Sequence, residues 1–409
     1  MRTLSDWECH LETLSPPSHI ELGLDRVGAV WSRLKRSGPS QVVTVAGTNG
    51  KGSTVETAGV IADHAGLTYG QYTSPHIHRI HERIRINGQT VSDDQLVHAF
   101  ETVEAAQSGV FLTYFEFLTL ACFVLFDEAE LDLWILEIGL GGRLDAVNII
   151  DPDVSVITSI GLDHQAYLGD SLEAIACEKA GVMRQGVQTF SAASNVRETL
   201  NMEAERYDAS LAWLDESFDG CKLNLPRSGL QLDLSDGQLP NHSVALACLA
   251  MDALGHITSR SIETRLNQAT VTGRMSRHML CGRQFILDVG HNALACEFVT
   301  QSLDAVIPHS DRVVIFGALA DKDVDAMLPI LRAYTDRIVL VGIDGSRGRS
   351  VDVLRASWLS LFGQTCWRSF ATLSDAMREL PSELNVDDQI LVIGSFVLVA
   401  DALRHDLFN

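Results

Sequence analysis

V45-A46-G47-T48-N49-G50-K51-G52-S53-T54 stands between an apolar run at 41–46 (QVVTVA) and an amphipathic stretch at 54–65. A strand, a glycine-rich turn and a helix in that order make a phosphate cradle. The glycines let backbone N–H groups turn inward, and the helix N-terminus adds partial positive charge. Lys51 can reach the β- and γ-phosphates of a nucleotide, and Ser53 or Thr54 can offer a hydroxyl to Mg²⁺. The spacing is not that of G-x-x-x-x-G-K-[ST]: Val45 stands where that pattern has glycine, and Gly52 is inserted between Lys51 and Ser53. The competing reading is a tight strand-to-helix turn with an exposed lysine; the flanking strand and helix favour the cradle.

Outward from this loop, strand-like apolar runs alternate with helical patterns, the mark of parallel α/β architecture. Strands are expected at 41–46, 69–73, 131–138 and 153–160, and helices at 54–65, 92–107, 113–128, 171–180, 241–254 and 261–269. The stretch 211–238, rich in Gly, Asp and Ser, reads as loops or short strands. After Gly273 and Arg274 the alternation restarts, with strands at 285–288, 312–316, 337–341 and 389–393, helices at 293–306 and 324–332, and a last helix towards the C-terminus. A chain of 409 residues exceeds what one core usually supports. The expected fold is therefore α/β: a P-loop-type mononucleotide-binding parallel-sheet domain over 1–274, then a smaller Rossmann-like α/β domain over 275–409.

The balance of 31 basic against 53 acidic residues, a net charge of −22, argues against general nucleic-acid binding. An acidic protein that binds anions must concentrate its positive charge locally. No apolar window is long enough for a membrane span, and the first residues, with Asp6 and Glu8, do not read as a secretory signal. The cysteines, Cys281 among them, are scattered without a CxxC pair, as reduced thiols of a cytoplasmic protein would be. A monomer without a nucleic-acid or membrane partner is expected.

Several candidate groups sit at strand ends. Glu137 closes the run LDLWILE and precedes G-L-G-G-R-L-D-A, placing a carboxylate where α/β sheets bind ligands. His164 follows the next strand in the same way, although a lone histidine is as often structural. Lys179 lies late on a helix, where favourable interaction with the helix dipole is the bland account. Residues 72–88 gather basic side chains and three histidines without metal-ligand spacing, and read as a mobile anion-facing loop.

G-T-N-G-K-G-S-T resembles the loop of the dihydrofolate synthase/folylpolyglutamate synthase family and is close to that of the related Mur ligases; further motifs match in order over nearly the full chain. Both families form amides through an acyl phosphate. The resemblance implies ATP on Thr48, Asn49, Gly50, Lys51, Gly52 and Ser53, with Asn241 on the adenine and Arg274, Asp288, His291 and Asn292 from the second domain. It implies Mg²⁺ (one ion or two, with or without K⁺) on Ser53, Ser74, Glu137 and His164. Lys51 and His164 become catalytic residues, and Lys179, in I-A-C-E-K-A-G, matches a lysine carbamylated in the family. For the pterin it implies Ile20, Glu21 and Leu22, then Thr113, Tyr114, Phe115 and Glu116, then Leu144, Asp145 and Ala146, with Phe115 stacking and Asp145 binding the pterin edge. Val147 departs from the Thr of the family pattern. Arg274, Lys322, Arg347 and Arg349 are candidates for glutamate's carboxylates, while the D-K-D turn (Asp321, Lys322, Asp323) is equally well a solvated turn. The expected activity is ATP-dependent addition of L-glutamate to dihydropteroate and to reduced folates. A Mur-type peptide ligase, a P-loop kinase and a non-catalytic nucleotide-binding protein are the rivals. The first leaves the pterin-like segment unexplained, and the second needs no second domain.

Overall fold

Val42–Ala46 is buried at all five positions and forms β1, inside a sheet covered on both faces. Strands so placed need no polar alternation, which is why they read as unbroken apolar runs. The computed structural model describes residues 2–280, 282–304, 307–345 and 347–404; Cys281 and the last two residues of the helix expected over 293–306 lie outside them. The chain divides into two compact units, Met1–Ala269 and Thr270–Asn409.

In the first unit, β2 (Tyr69–Tyr72), β3 (Ile84–Ile86), β4 (Gln89–Thr90), β5 (Leu133–Glu137), β6 (Val154–Ile157), β7 (Gln188–Ser191) and β8 (Ser210–Trp213) join β1 in one sheet. Its order is β4-β3-β2-β5-β1-β6-β7-β8. All neighbours run parallel except the β2–β3 and β3–β4 pairs. In this register Val45 faces Glu137 across β1 and β5, so the glycine loop and the carboxylate leave the sheet at the same level.

The helix expected to begin at 54 begins at Lys51, behind Gly50 in the left-handed conformation, so Lys51 and Ser53 ride on its first turn. Helix Tyr114–Glu128 is buried on nearly every side, and Phe123 stacks on Trp134 with ring centroids 5.5 Å apart. Helices Leu4–Leu14 and Asp25–Leu34 add Trp7, Leu11, Val27 and Val30 to the core. The 211–238 stretch holds an antiparallel pair, β9 (Lys222–Asn224) and β10 (Gln231–Asp233).

The second unit contains β11 (Ser276–Leu280), β12 (Arg283–Asp288), β13 (Arg312–Phe316), β14 (Ile338–Val341), β15 (Arg368–Phe370) and β16 (Gln389–Ile393), ordered β11-β12-β16-β13-β14-β15. Only the β11–β12 pair is antiparallel. Both units are thus α/β with parallel-rich sheets. Among the described residues the cysteines are free thiols, and no helix is long and apolar enough to cross a membrane.

Candidate functional site

Gly47 sets the shape of the loop. Its φ of 147° is open to glycine, and a Cβ there would lie 1.8 Å from Thr158 Oγ1. Thr158 and Ser159, at the end of β6, brace the turn: their hydroxyls donate to Asn49 O at 2.6 and 3.1 Å, and Ser159 O accepts from Thr48 N at 2.7 Å. With its outer face tied to β6, the loop is preorganised for an anion before one arrives.

Two ammonium groups converge on one carbonyl. Lys51 Nζ donates to Gly47 O at 3.0 Å and Thr48 O at 3.2 Å, and Lys179 Nζ reaches Gly47 O at 2.9 Å from the helix Leu172–Ala180. The helix-end account of Lys179 is therefore incomplete, since its side chain is buried and crosses to the phosphate loop. Burial, then the neighbouring Lys51 charge, pushes its amine down to about 7, against partial support from Asp163 and Asp145. A lysine that sheds its proton near neutrality is a nucleophile towards CO₂.

For a cation, Thr54 is spent, its hydroxyl donating to Gly50 O at 3.0 Å. Ser53 is a buried residue whose hydroxyl makes no hydrogen bond to a protein atom among the described residues, which chooses between the two hydroxyls. Glu137 is 3% exposed, its Oε2 accepts from Ser74 N at 3.2 Å, and a Cβ on Gly52 would lie 3.7 Å from that same oxygen. So Ser53, Ser74 and Glu137 meet at the loop. His164 stands in the left-handed conformation after β6, its Nε2 3.9 Å from Asp163 Oδ1. Among the described residues no three His, Cys, Asp or Glu side chains are placed to hold a metal. Hydroxyls with one buried carboxylate suit Mg²⁺, which takes oxygen ligands and keeps waters and phosphate oxygens.

The pterin segments share one network. Thr113 and Glu116 cap the helix Tyr114–Glu128, with Glu116 Oε2 accepting from Thr113 N at 2.8 Å. Arg26 joins Glu116 (2.9 Å) to Glu21 (2.5 Å), and Gly23 N donates to Leu144 O at 3.2 Å, so the 20–22 segment is held beside both other segments. Phe115 lies over Gly139, where a Cβ would meet its ring at 2.4 Å. Asp145 does not offer two idle oxygens, since they accept from Leu140 N (2.8 Å) and Val147 N (3.0 Å) and cap the turn Ala146–Ile149. Burial nevertheless lifts its carboxyl to about 6. Any pterin contact uses lone pairs that remain after the loop is served.

The 72–88 loop is closed on itself. Glu82 accepts from the backbone N–H groups of Ile77, His78 and Arg79. Its histidines face unlike partners, His81 an aspartate (Asp93, 2.8 Å) and His76 the Arg83 Nε–H (2.9 Å). Burial and Arg83 hold His76 down to about 4. At the C-terminal ends of β7 and β8 a cavity of about 290 Å³ is lined by Trp213, Phe218, Gly220 and His242 among others. Asn241 donates to Gly220 O at its edge.

This chain is 35% identical to the dihydrofolate synthase/folylpolyglutamate synthase of Escherichia coli over 98% of its length and 95% of that protein. It is 33% identical to the Haemophilus influenzae protein of the same name, covering 97% and 96%. The chain belongs to the dihydrofolate synthase/folylpolyglutamate synthase family. An Escherichia coli FolC structure in complex with DHPP and ADP matches with a TM-score of 0.88 at 33% identity, covering 98% of this chain and 97% of that one. A bifunctional folylpolyglutamate synthase/dihydrofolate synthase with Mn, AMPPNP and L-glutamate bound matches with a TM-score of 0.89 at 36% identity, covering 98% of each. Residues 273–396 match the model "Mur ligase, glutamate ligase domain".

Within that second unit the candidate nucleotide residues Asp288, His291 and Asn292 lie at and just after the end of β12. Asp288 accepts from Met275 N (2.9 Å) and Gly290 N (2.7 Å), and burial raises its carboxyl against the pull of Arg274. Arg274 and His291 both face Phe396, at 5.4 and 5.8 Å from its ring centre. Asn292 Oδ1 accepts from Ala295 N at 2.9 Å and caps the helix Ala293–Asp304. The solvated reading of the D-K-D turn fails for Lys322, whose side chain is 8% exposed. Arg349 is turned to the carbonyls of Ala320 and Lys322. Sequence reasoning gave no role to Thr158 or Ser159, and gave His76 and Arg83 only their place in the anion-facing 72–88 loop; the adjacent Thr-Ser at the end of β6 was the available signal for the first two.

Proposed function

We propose that this chain is an ATP- and Mg²⁺-dependent ligase that joins L-glutamate to dihydropteroate and to reduced folates through an acyl phosphate. The convergence of Lys51 and Lys179 on the Gly47 carbonyl, beside Glu137 and Ser53, carries the reading. Lys51, on the first turn of the helix behind the loop, places positive charge where a triphosphate is bound in a chain of net charge −22.

ATP lies along Thr48, Asn49, Gly50, Lys51, Gly52 and Ser53, its adenine towards Asn241 and the cavity beside it. Ser53, Ser74, Glu137 and His164 would hold Mg²⁺, which when bound would neutralise charge on the phosphate oxygens. An oxygen of the acceptor carboxylate attacks the γ-phosphorus and ADP leaves. The neutral amine of glutamate then attacks the acyl carbon, the C–O bond to phosphate breaks, the proton shed by nitrogen passes to the departing phosphate, and amide and phosphate are released. Lys51 and the helix N-terminal N–H groups stabilise the charge that develops on the transferred phosphoryl group. Lys179 Nζ, uncharged for part of the time near neutrality, attacks the carbon of CO₂; the N–C bond forms as one C=O π-bond opens onto oxygen, and a proton passes to solvent, leaving an anionic carbamate whose oxygens would be available to a cation. Phe115, Asp145 and the 20–22 segment orient the pterin, and Arg274, Asp288, His291 and Asn292 serve the nucleotide from the second unit. Every group comes from one chain, so a monomer suffices, and the free thiols fit a cytoplasmic enzyme.

Labelling the acceptor carboxylate with heavy oxygen tests the scheme. One labelled oxygen should leave in the released phosphate. Unlabelled phosphate alongside amide product would exclude the acyl phosphate.

A further inference from the structure

Arg83 is 8% exposed, and among the described residues no acidic side chain pairs with it. Its guanidinium makes one hydrogen bond to protein, from Nε to His76 Nδ1, and lies 5.9 Å from the Tyr114 ring centre, at the outer reach of a cation–π contact. Among the described residues its two Nη groups donate to no protein atom. The nearest acid in sequence is no help, because both oxygens of Glu82 are taken by backbone N–H groups. The other arginines of this loop do have acids: Arg79 lies 3.9 Å from Asp93 and Arg85 2.5 Å from Glu56. A largely buried guanidinium whose Nη groups have neither an acid nor a protein acceptor, yet keep access to solvent, is placed to receive an anion that binds there.

Its position says which anion would serve. Arg83 O accepts from Thr73 N, one residue before Ser74, whose own N–H goes to Glu137. Tyr114, under the guanidinium, adjoins Phe115 and Thr113 of the pterin segment. Arg83 thus stands between the proposed cation site and the proposed pterin site, where the acceptor's carboxyl end must lie.

We infer that Arg83 is the counter-charge for a carboxylate of the amide-accepting substrate, bound through its two Nη groups. This rests on the reading above. The carboxylate is the single, reacting one of dihydropteroate, or the α-carboxylate of the glutamate tail of a reduced folate.

The test compares Arg83→Gln and Arg83→Lys with the parent enzyme, each acceptor being varied at saturating ATP, Mg²⁺ and glutamate. Arg83→Gln should raise the KM for the acceptor by roughly 10- to 100-fold, as losing a charge-assisted hydrogen bond implies. Arg83→Lys should recover part of that loss, and KM for ATP should stay put. Loss on both acceptors assigns the reacting carboxylate, and loss on the reduced folate alone assigns the tail. Unchanged KM for both acceptors overturns the inference, yet leaves the ligase reading standing if the parent enzyme turns over; a parent enzyme without turnover rejects that reading instead. Should the variants fail to fold, calorimetry on the parent enzyme decides with pteroate and its primary amide. The amide should bind about 10-fold more weakly or worse if Arg83 holds the reacting carboxylate; if it holds the tail, the same loss should appear instead between a reduced folate and its α-amide, and equal affinities in both pairs overturn the inference.

Discussion

Replacing Lys179 with methionine keeps the length of the side chain and removes its charge. The lysine is buried, and its amine titrates near 7 in the fold against 10.5 ordinarily. That difference corresponds to a cost on the order of 5 kcal/mol for carrying the proton into the fold. The folded value lies below the unfolded one, so the full cost acts below about pH 7 and fades as pH rises towards 10.5, where the unfolded chain also releases its proton. Lys179→Met should therefore make the first unit more stable than the parent near neutrality. The advantage should shrink by about 2 kcal/mol from about pH 7 to about pH 9. The lost hydrogen bond to Gly47 O subtracts a nearly pH-independent ~1 kcal/mol. Hydrogen exchange of the β1 amides, in CO₂-free buffer without nucleotide, reports on this unit alone, and comparing the two proteins at each pH cancels intrinsic exchange. A stability difference that does not vary with pH would refute the argument that Lys179 enters the fold at an electrostatic cost.

Lys51→Ala should lower the turnover rate by at least ~10³-fold while circular dichroism shows the fold intact; it should also raise the Lys179 titration point, since Lys51 is its second-largest perturbation. Gly47→Ala should destabilise the first unit by roughly 2–4 kcal/mol by urea unfolding, because the new methyl overlaps Thr158 Oγ1. Asp145→Ala should raise KM for dihydropteroate more than for reduced folates in steady-state assays; equal losses would remove Asp145 from the pterin pocket.

The phosphate loop and the inner strands were legible because both rest on local chemistry. Val42–Ala46 and Leu133–Glu137 are buried on both faces and so read as apolar runs, and a strand followed by glycines and lysine admits few other structures. What was not legible has sparse or non-local signals. The helix Arg197–Tyr207 buries only Leu200, Glu203 and Ala204, and Val351–Phe362 only Leu354 and Trp358, too few to show a helical stripe. β8 is half-buried at the sheet edge, and Ser210 and Trp213 do not alternate cleanly. In the site, Lys179 looked like a helix-end lysine because its partner, Gly47, lies 132 residues away. Arg83 looked like one of several loop cations, and only the fold separates it from the arginines that have acids.

The most direct test of the central claim is to incubate the pure protein with ATP, Mg²⁺, L-glutamate and dihydropteroate, following ADP and product mass together. The account predicts that ADP and the glutamylated product appear one for one, and that neither appears when glutamate or the pterin is withheld. ADP formed at the same rate without the pterin, or no new amide in its presence, would contradict it.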